Sequence, residues 1–187
     1  MSTLTTAERQ LQAAQRIRAA GLLLRDDEMT AIEIADFGLD RFDQIGLAIS
    51  VYINTDRYCA KELAMLPGQI CPEHRHPSVD GMRGKQETFR VRAGTCHLFL
   101  PGLNREQGGE AAAAFWPADK RDSFTVCKQL TLQPGEQYTI DPDTPHWFVA
   151  GPEGCVVSEF SSASRDDADI FTDPIIDRMA GAGPHPG

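Results

Sequence analysis

Features that direct proteins to membranes or nucleic acids are missing from this sequence. It has no apolar run close to the ~20 residues that a transmembrane helix needs, and its first residues, MSTLTTAERQ, lack the apolar core of a signal peptide. It also has no basic run to offset its net charge of -9. We therefore expect a cytoplasmic protein that binds neither nucleic acid nor a membrane.

Cysteine is scarce and unpaired in the sequence. The five cysteines include no CxxC pair, and their odd number argues against a disulfide framework or a thiolate metal site. We expect Cys59, Cys71, Cys96, Cys127 and Cys155 to be reduced, small and mostly buried residues.

The chain does contain enough apolar residues for a sizeable core. Its 187 residues, 41% of them hydrophobic, suit one globular domain. Helix formers dominate the first part of the chain, and strand patterns dominate the middle. We predict a mainly β chain that forms a single domain over 1–187, with an N-terminal helical extension at 1–45, a barrel at 47–162 and a C-terminal segment at 163–187. Within the barrel, we expect 102–121 to be a long hairpin excursion.

Three histidines and one glutamate have the pattern of a metal site. His74 and His76 lie two apart in a strand-like run, so their side chains share a face. Glu87 and His146 lie in two further strand-like runs. Three imidazoles and a carboxylate suit a divalent first-row metal with positions open to water or substrate. An HxH pair alone is a weak signal, because a lone histidine is more often a surface or core residue; the complete set is what points to a metal.

The spacing of these residues resembles the first motif of the cupin family. That motif reads G, five residues, HxH, a gap, E, six residues, G, and it is matched by Gly68, His74, His76, Glu87 and Gly94. The gap from His76 to Glu87 is ten residues here, which is longer than in common cupins. Both glycines are expected in turns between barrel strands.

A second cupin motif is matched in part. Gly135 and His146 occupy its glycine and histidine positions, while Asp141, Asp143 and Ala150 replace its Pro, Gly and Asn. The resemblance implies a cupin barrel, that is, a double-stranded β-helix or jelly roll. Closure of such a barrel removes exposed strand edges, and its interior can hold one small ligand.

Two further residues are candidates for catalysis. Lys85 lies two positions before Glu87, so it lines the same cavity if Glu87 reaches the metal. Glu159 lies among apolar neighbours on the strand that follows His146, a placement that suits a general acid or base. The alternatives are an exposed lysine after a turn and an outward-facing glutamate. Strand alternation leaves the direction of Glu159 open, because Val157 and Phe160 fall on opposite faces.

A narrower resemblance covers roughly residues 58–174. The strings PGQICPEHRHP, GKQETFRVRAG and SEFSSASRDDADIFTDP look like those of the bacterial D-lyxose isomerases, which are cupin-fold sugar isomerases. The wide gap before Glu87 fits the shorter members of that family. The resemblance implies a divalent metal, manganese by preference, with cobalt, iron, nickel or zinc as alternatives. It places that metal on His74, His76, Glu87 and His146.

The same resemblance implies a substrate and a reaction. We expect a homodimeric isomerase that interconverts D-lyxose and D-xylulose, with D-mannose and D-fructose as a further pair, by proton transfer through a cis-enediol. Glu159 would shuttle the proton and Lys85 would donate to the oxygens on which charge develops. Lys61 and Asp169 are weaker candidates for contacting sugar hydroxyls, since surface charge is their commoner role.

Two other functions stay open at this point. A metal-dependent cupin oxygenase would use the same ligands with iron and O2, and turnover with a metal that cannot change oxidation state would argue against it. A non-catalytic sugar-binding cupin needs no proton shuttle, so joint placement of Glu159 and Lys85 at the metal site would argue against that.

Overall fold

The computed structural model describes residues 4–103 and 105–180, with residues 105–108 described by their backbone only. Residues 1–3, 104 and 181–187 of the predicted N-terminal extension, excursion and C-terminal segment lie outside the described residues. The elements in chain order are α1 (Thr6–Ala19), α2 (Asp26–Thr30), β1 (Glu33–Ala35), β2 (Leu47–Asn54), β3 (Cys59–Met65), β4 (Ile70–Arg75), β5 (Glu87–Leu100), α3 (Arg105–Ala113), a 3-10 helix (Ala118–Ser123), β6 (Lys128–Leu132), β7 (Gln137–Ile140), β8 (His146–Ser161), a second 3-10 helix (Asp166–Ala168) and β9 (Ile170–Phe171).

Strand β8 is the centre of the sheet. It is 16 residues long and pairs antiparallel with β5 on one side. On its other side it pairs with β4 along its first residues and with β3 along its last residues. The sheet order runs β1, β2, β3, β8, β4, β9, and β5 also pairs with β6 and β7. Strand makes up about 40% of the chain against 19% helix, and the sheet curls on itself, so the mainly β prediction is confirmed.

The curled sheet encloses one continuous apolar core. Alternate residues of β3, β5 and β8 point inward, and Leu63, Phe89, Val91 and Val157 among them are buried. Full burial of such a side chain contributes ~1.5–3 kcal/mol, so the inner face of these strands accounts for much of the fold's stability. The five cysteines are buried and none of them forms a disulfide, as the sequence predicts.

Helix α1 covers part of the outer face of the sheet. Its N-terminus is closed by a capping box, in which the Thr5 side chain accepts from the Glu8 amide and the Glu8 carboxylate accepts from the Thr5 amide. Its buried residues Ala13, Ala14 and Ile17 pack against outward residues of β2, β3 and β8. Among the described residues, no helix has both the length and the apolar character needed to cross a membrane.

The structure departs from the predicted helical extension at 1–45 near its end. Strand β1 lies inside that range and pairs antiparallel with β2. The predicted excursion at 102–121 does connect two paired strands, β5 and β6. It also contains α3, which its run of alanines favours.

The last described part of the chain, residues 164–180, crosses the mouth of the barrel, and we call it the C-terminal strap. Its strand β9 pairs with β4, where Phe171 lies opposite His74. The strap is also held by the buried Glu73 carboxylate, which accepts from Thr172 Oγ1 at 2.7 Å. The same carboxylate accepts from the amides of Thr125 at 2.5 Å and Val126 at 3.0 Å. One buried acid therefore ties the strap to the loop before β6.

The two glycines of the first motif have different roles. Gly68 lies in the turn between β3 and β4 with a φ of +68°, as predicted. Gly94 lies inside β5 rather than in a turn, so that part of the prediction is wrong. Its φ of +70° coincides with a shift in the register between β5 and β8. A glycine is needed there because the sheet bends within one continuous strand.

We expect Gly94→Ala to destabilise the fold far more than Gly135→Ala. The left-handed backbone costs an alanine ~1–2 kcal/mol at either position. A Cβ on Gly94 would lie 2.0 Å from the Gly154 carbonyl oxygen, whereas one on Gly135, with a φ of +89°, meets nothing within 4 Å. The clash should add ~1–3 kcal/mol to the loss at Gly94. Denaturant unfolding of both variants checks this, and equal losses would contradict it.

Candidate active site

Four side chains from three strands and one loop meet inside the mouth of the barrel. His74 lies in β4, His76 just after it, and Glu87 and His146 are the first residues of β5 and β8. His74 and His146 are register partners in the sheet. One ligand atom from each of the four residues lies within 4.8 Å of the others, and all four residues are buried. The residues predicted from the motif spacing are therefore brought together.

The three imidazoles of this cluster are fixed in orientation by their Nδ1 atoms. The Nδ1 of His74 donates to the Pro72 carbonyl at 2.8 Å, and that of His146 donates to the Thr144 carbonyl at 2.9 Å. The Nδ1 of His76 lies 2.5 Å from Oδ1 of Asp169. With Nδ1 as the donor, the neutral form of each ring has its lone pair on Nε2.

The distances from Glu87 to the histidines indicate whether a cation fits between the carboxylate and the Nε2 atoms. Glu87 Oε1 lies 2.8 Å from His146 Nε2 and 3.3 Å from His76 Nε2. Within the described part of the chain, His146 Nε2 is buried with no hydrogen-bond partner. Two acceptor atoms 2.8 Å apart repel each other, and a divalent cation between them would remove the repulsion. The cluster can therefore hold a metal ion.

His74 and Glu87 are also in the protonation states that metal ligands require. Burial, reinforced by His146 and His76, lowers the pKa of His74 well below its usual value. Burial acts to raise the pKa of Glu87, but Lys85 and His76 outweigh it and hold that pKa well below its usual value. At neutral pH His74 is therefore neutral and Glu87 is ionised, which are the forms that bind metals.

Glu159 and Lys85 lie beside the four-residue cluster. Glu159 points into the barrel, which answers the question that strand alternation left open, and it lies opposite Lys61 in the register of β3 and β8. Lys85 Nζ is 3.0 Å from Glu159 Oε1 and 2.7 Å from Glu87 Oε2. Burial acts to lower the pKa of Lys85, but Glu159 and Glu87 raise it well above its usual value. The lysine is a charged donor that bridges the two carboxylates.

Lys61 is buried and Asp169 is half-buried, with a side chain that is 8% exposed, so neither is a surface charge. Lys61 Nζ lies 3.6 Å from Glu159 Oε1, and Asp169 contacts the ring of His76. Sequence reasoning missed two more charged residues of the site, Asp166 and Arg178. Both belong to the C-terminal strap, and Arg178 Nη2 lies 3.0 Å from Asp166 Oδ2. The sequence carries no periodic signal for either residue.

These groups line one pocket that is partly open to solvent. One wall carries His74, His76, Glu87 and the other charged residues of the site. The rest of the lining is apolar and includes Phe37, Leu47, Phe89, Phe148 and Phe171. The ring of Phe171 stacks on His74 with the ring centres 5.3 Å apart. A pocket in which a few polar groups converge beside apolar side chains suits a small polar molecule that also has apolar C-H surface.

A family model and the curated relatives of this chain agree on one family. The sequence model described as D-lyxose isomerase matches residues 19–181. The chain is 49% identical over 172 residues to the D-lyxose/D-mannose isomerase of Thermosediminibacter oceani, covering 92% of this chain and 93% of that protein. It is 52% identical over 168 residues to the D-lyxose ketol-isomerase of Cohnella laeviribosi, covering 90% of each.

Solved structures support the fold. The ligand-free L-ribose isomerase of Cellulomonas parahominis superposes with a TM-score of 0.73 over 90% of this chain and 91% of that one, at 18% identity. The L-ribose isomerase of Geodermatophilus obscurus gives a TM-score of 0.70 over 99% of this chain and 92% of that one, at 20% identity. At such identities the likeness concerns the fold alone, and it confirms the predicted cupin barrel.

We expect His146→Ala to abolish tight metal binding. Loss of an outer residue that merely orients a ligand costs ~10–100-fold in metal affinity, so loss of a ligand should cost at least about 100-fold. His97→Ala is the matched control, since His97 contacts Thr131 and lies outside the four-residue cluster. Elemental analysis after loading with Mn²⁺ and dialysis measures the manganese that stays bound to each variant. Full metal content in His146→Ala would contradict the assignment.

Proposed function

Because this chain belongs to the D-lyxose isomerase family, we propose that it interconverts D-lyxose and D-xylulose, and also D-mannose and D-fructose, in a metal-dependent reaction. The observation that carries the proposal is the placement of Glu159 and Lys85. A carboxylate bridged to Glu87 by a buried lysine, inside the same pocket as the four-residue cluster, offers both a base and a donor for proton transfer.

We further propose that His74, His76, Glu87 and His146 hold one divalent ion, manganese by preference, with cobalt, iron, nickel or zinc as alternatives. The ion, when bound, supplies a Lewis acid that polarises the sugar carbonyl. Asp169 would hold the His76 ring in place through Nδ1, as carboxylates commonly do for metal-binding histidines. A cytoplasmic location, a homodimer and the single-domain organisation stay predictions, and a monomeric mass in solution would reject the homodimer.

Proton transfer is the task of Glu159 in this proposal. Its carboxylate removes the proton from C2 of the aldose and returns it to C1, while a second proton leaves O2 and reaches O1. Lys85 Nζ donates to the oxygen on which negative charge develops. Both side chains are buried, at 4% and 7% exposure, so the surrounding low dielectric strengthens these interactions.

The competing functions are less well supported. A binding protein has no use for a buried carboxylate between two lysines, which must be held there against the cost of removing three charges from water. The family of the chain favours an isomerase over an oxygenase.

We expect the configuration at C2 to decide which sugars react. The protein stripped of metal and then restored with Mn²⁺ should convert D-lyxose and D-mannose to their ketoses. The C2 epimers, D-xylose and D-glucose, should react at least about tenfold more slowly, because the oxygens at the reacting carbons are then misplaced. A colorimetric ketose assay over this panel measures the rates. Equal rates on D-lyxose and D-xylose would remove the basis for the substrate assignment.

We expect Glu159→Gln to lower kcat by about 100-fold or more, because the amide keeps the shape of the side chain but removes the base. Metal content should stay normal. Glu153→Gln, on the exposed part of the same strand, is the control and should match the unmodified enzyme.

Isotope exchange provides a second measurement of the same role. Solvent deuterium should appear at C1 of the ketose formed by the unmodified enzyme, since a carboxylate that carries the proton exchanges it with water. Complete retention of the substrate hydrogen, or near-normal turnover of Glu159→Gln, would show that Glu159 carries no proton.

A further inference from the structure

Seven charges of alternating sign form a chain of ion pairs, which we call the charge ladder; four are buried, three are half-buried, and all but Glu33 line the pocket. Their order is Glu87, Lys85, Glu159, Lys61, Asp166, Arg178 and Glu33. The proposed proton transfer uses the first three. Lys61, Asp166 and Arg178 line the same pocket, yet they have no task in the chemistry at C1 and C2.

Asp166 is held firmly and still has capacity to accept hydrogen bonds. Its Oδ1 accepts from Ser164 Oγ at 2.5 Å, and its Oδ2 accepts from Arg178 at 3.0 Å. An ionised carboxylate has about four lone-pair positions, so part of its capacity is unused. Burial acts to raise the pKa of Asp166, but Lys61, Lys85 and Arg178 outweigh it and keep the pKa far below its usual value. The group is an anion whenever a substrate arrives.

Lys61 is only loosely engaged. Its Nζ lies 3.1 Å from Ser164 Oγ, but 3.5 Å from Asp166 Oδ2 and 3.6 Å from Glu159 Oε1. The two longer distances exceed those of good charge-assisted hydrogen bonds, which are ~2.7–2.9 Å. A hydroxyl group, which both donates and accepts, fits the chemistry of a carboxylate next to an ammonium group with unused donors.

The position of Asp166 along the ladder indicates which hydroxyl it meets. Glu159 and Lys61 separate it from Lys85, which lies at the four-residue cluster where the carbonyl end of the sugar would react. We infer that Asp166 accepts a hydrogen bond from the terminal hydroxyl of D-lyxose, at the end remote from the carbonyl, with Arg178 as the residue that positions it. This inference rests on the proposed function. Asp166 would then determine specificity by recognising the terminal hydroxyl of the sugar rather than the configuration at C2.

The test compares D-lyxose with 5-deoxy-D-lyxose, which lacks only the terminal hydroxyl. The Mn²⁺-loaded unmodified enzyme should lose at least about tenfold in kcat/KM on the deoxy sugar, because a buried acceptor is then left unpaired. Asp166→Asn should lose a similar factor on D-lyxose, mostly through KM. It should lose less than about threefold on the deoxy sugar, since the contact it removes is already missing there. Asp167→Asn, at the exposed neighbouring position, is the matched control and should behave as the unmodified enzyme does.

The outcomes separate the two proposals. An unmodified enzyme that converts neither sugar overturns the proposed function, and this inference with it. An enzyme that converts both sugars equally well overturns the inference alone. So does an Asp166→Asn variant that loses the same factor on both sugars. If Asp166→Asn fails to fold, Ser164→Ala removes one of the groups that hold Asp166, and its loss should likewise be larger on D-lyxose than on the deoxy sugar.

Discussion

Backbone pairing of β8 is the constraint on which the site depends. This strand has His146 at its first position and Glu159 near its end, and it lies between β5 on one side and β4 and β3 on the other. Its register sets His146 opposite His74 and Glu159 opposite Lys61. A slip of one residue would turn both side chains out of the barrel. The proposed metal ligands His74 and His146 and the proposed base Glu159 are thus placed by the same ladder of hydrogen bonds.

The charges inside the barrel depend on one another. Each ionised group taken from water loses several kcal/mol of hydration, and only close partners of opposite sign offset that loss. Removal of one member would leave its neighbours unpaired, at a cost of ~3–5 kcal/mol for a buried pair. The alternation from Glu87 to Glu33 gives each inner member a partner on both sides. The alternation therefore stabilises ionised side chains at fixed positions inside a pocket where an unpaired charge would be unfavourable.

The sequence predicts the parts of this structure that follow from local spacing. His76 directly follows β4, which contains His74, and Lys85 lies just before Glu87, the first residue of β5. Each pair converges because the alternation of the strand continues into the adjoining residues. The direction of Glu159 could not be predicted, because it depends on the register with β3 rather than on its own strand. Asp166 and Arg178 escaped prediction because they lie in the strap, where no periodicity marks an inward position. Strand β1 was missed because three residues carry too weak a pattern.

The C-terminal strap supplies Asp166, Phe171 and Arg178 to the pocket, but none of the four-residue cluster and neither Glu159 nor Lys85. Apart from the contact of Asp169 with His76, the residues proposed for metal binding and proton transfer belong to the barrel, and the strap adds charged and aromatic lining beside them. The two parts can therefore diverge at different rates during evolution. With the proposed roles, substitutions at Asp166 and Arg178 would change which sugars are accepted, while the residues proposed for the isomerisation lie in the barrel and stay unchanged.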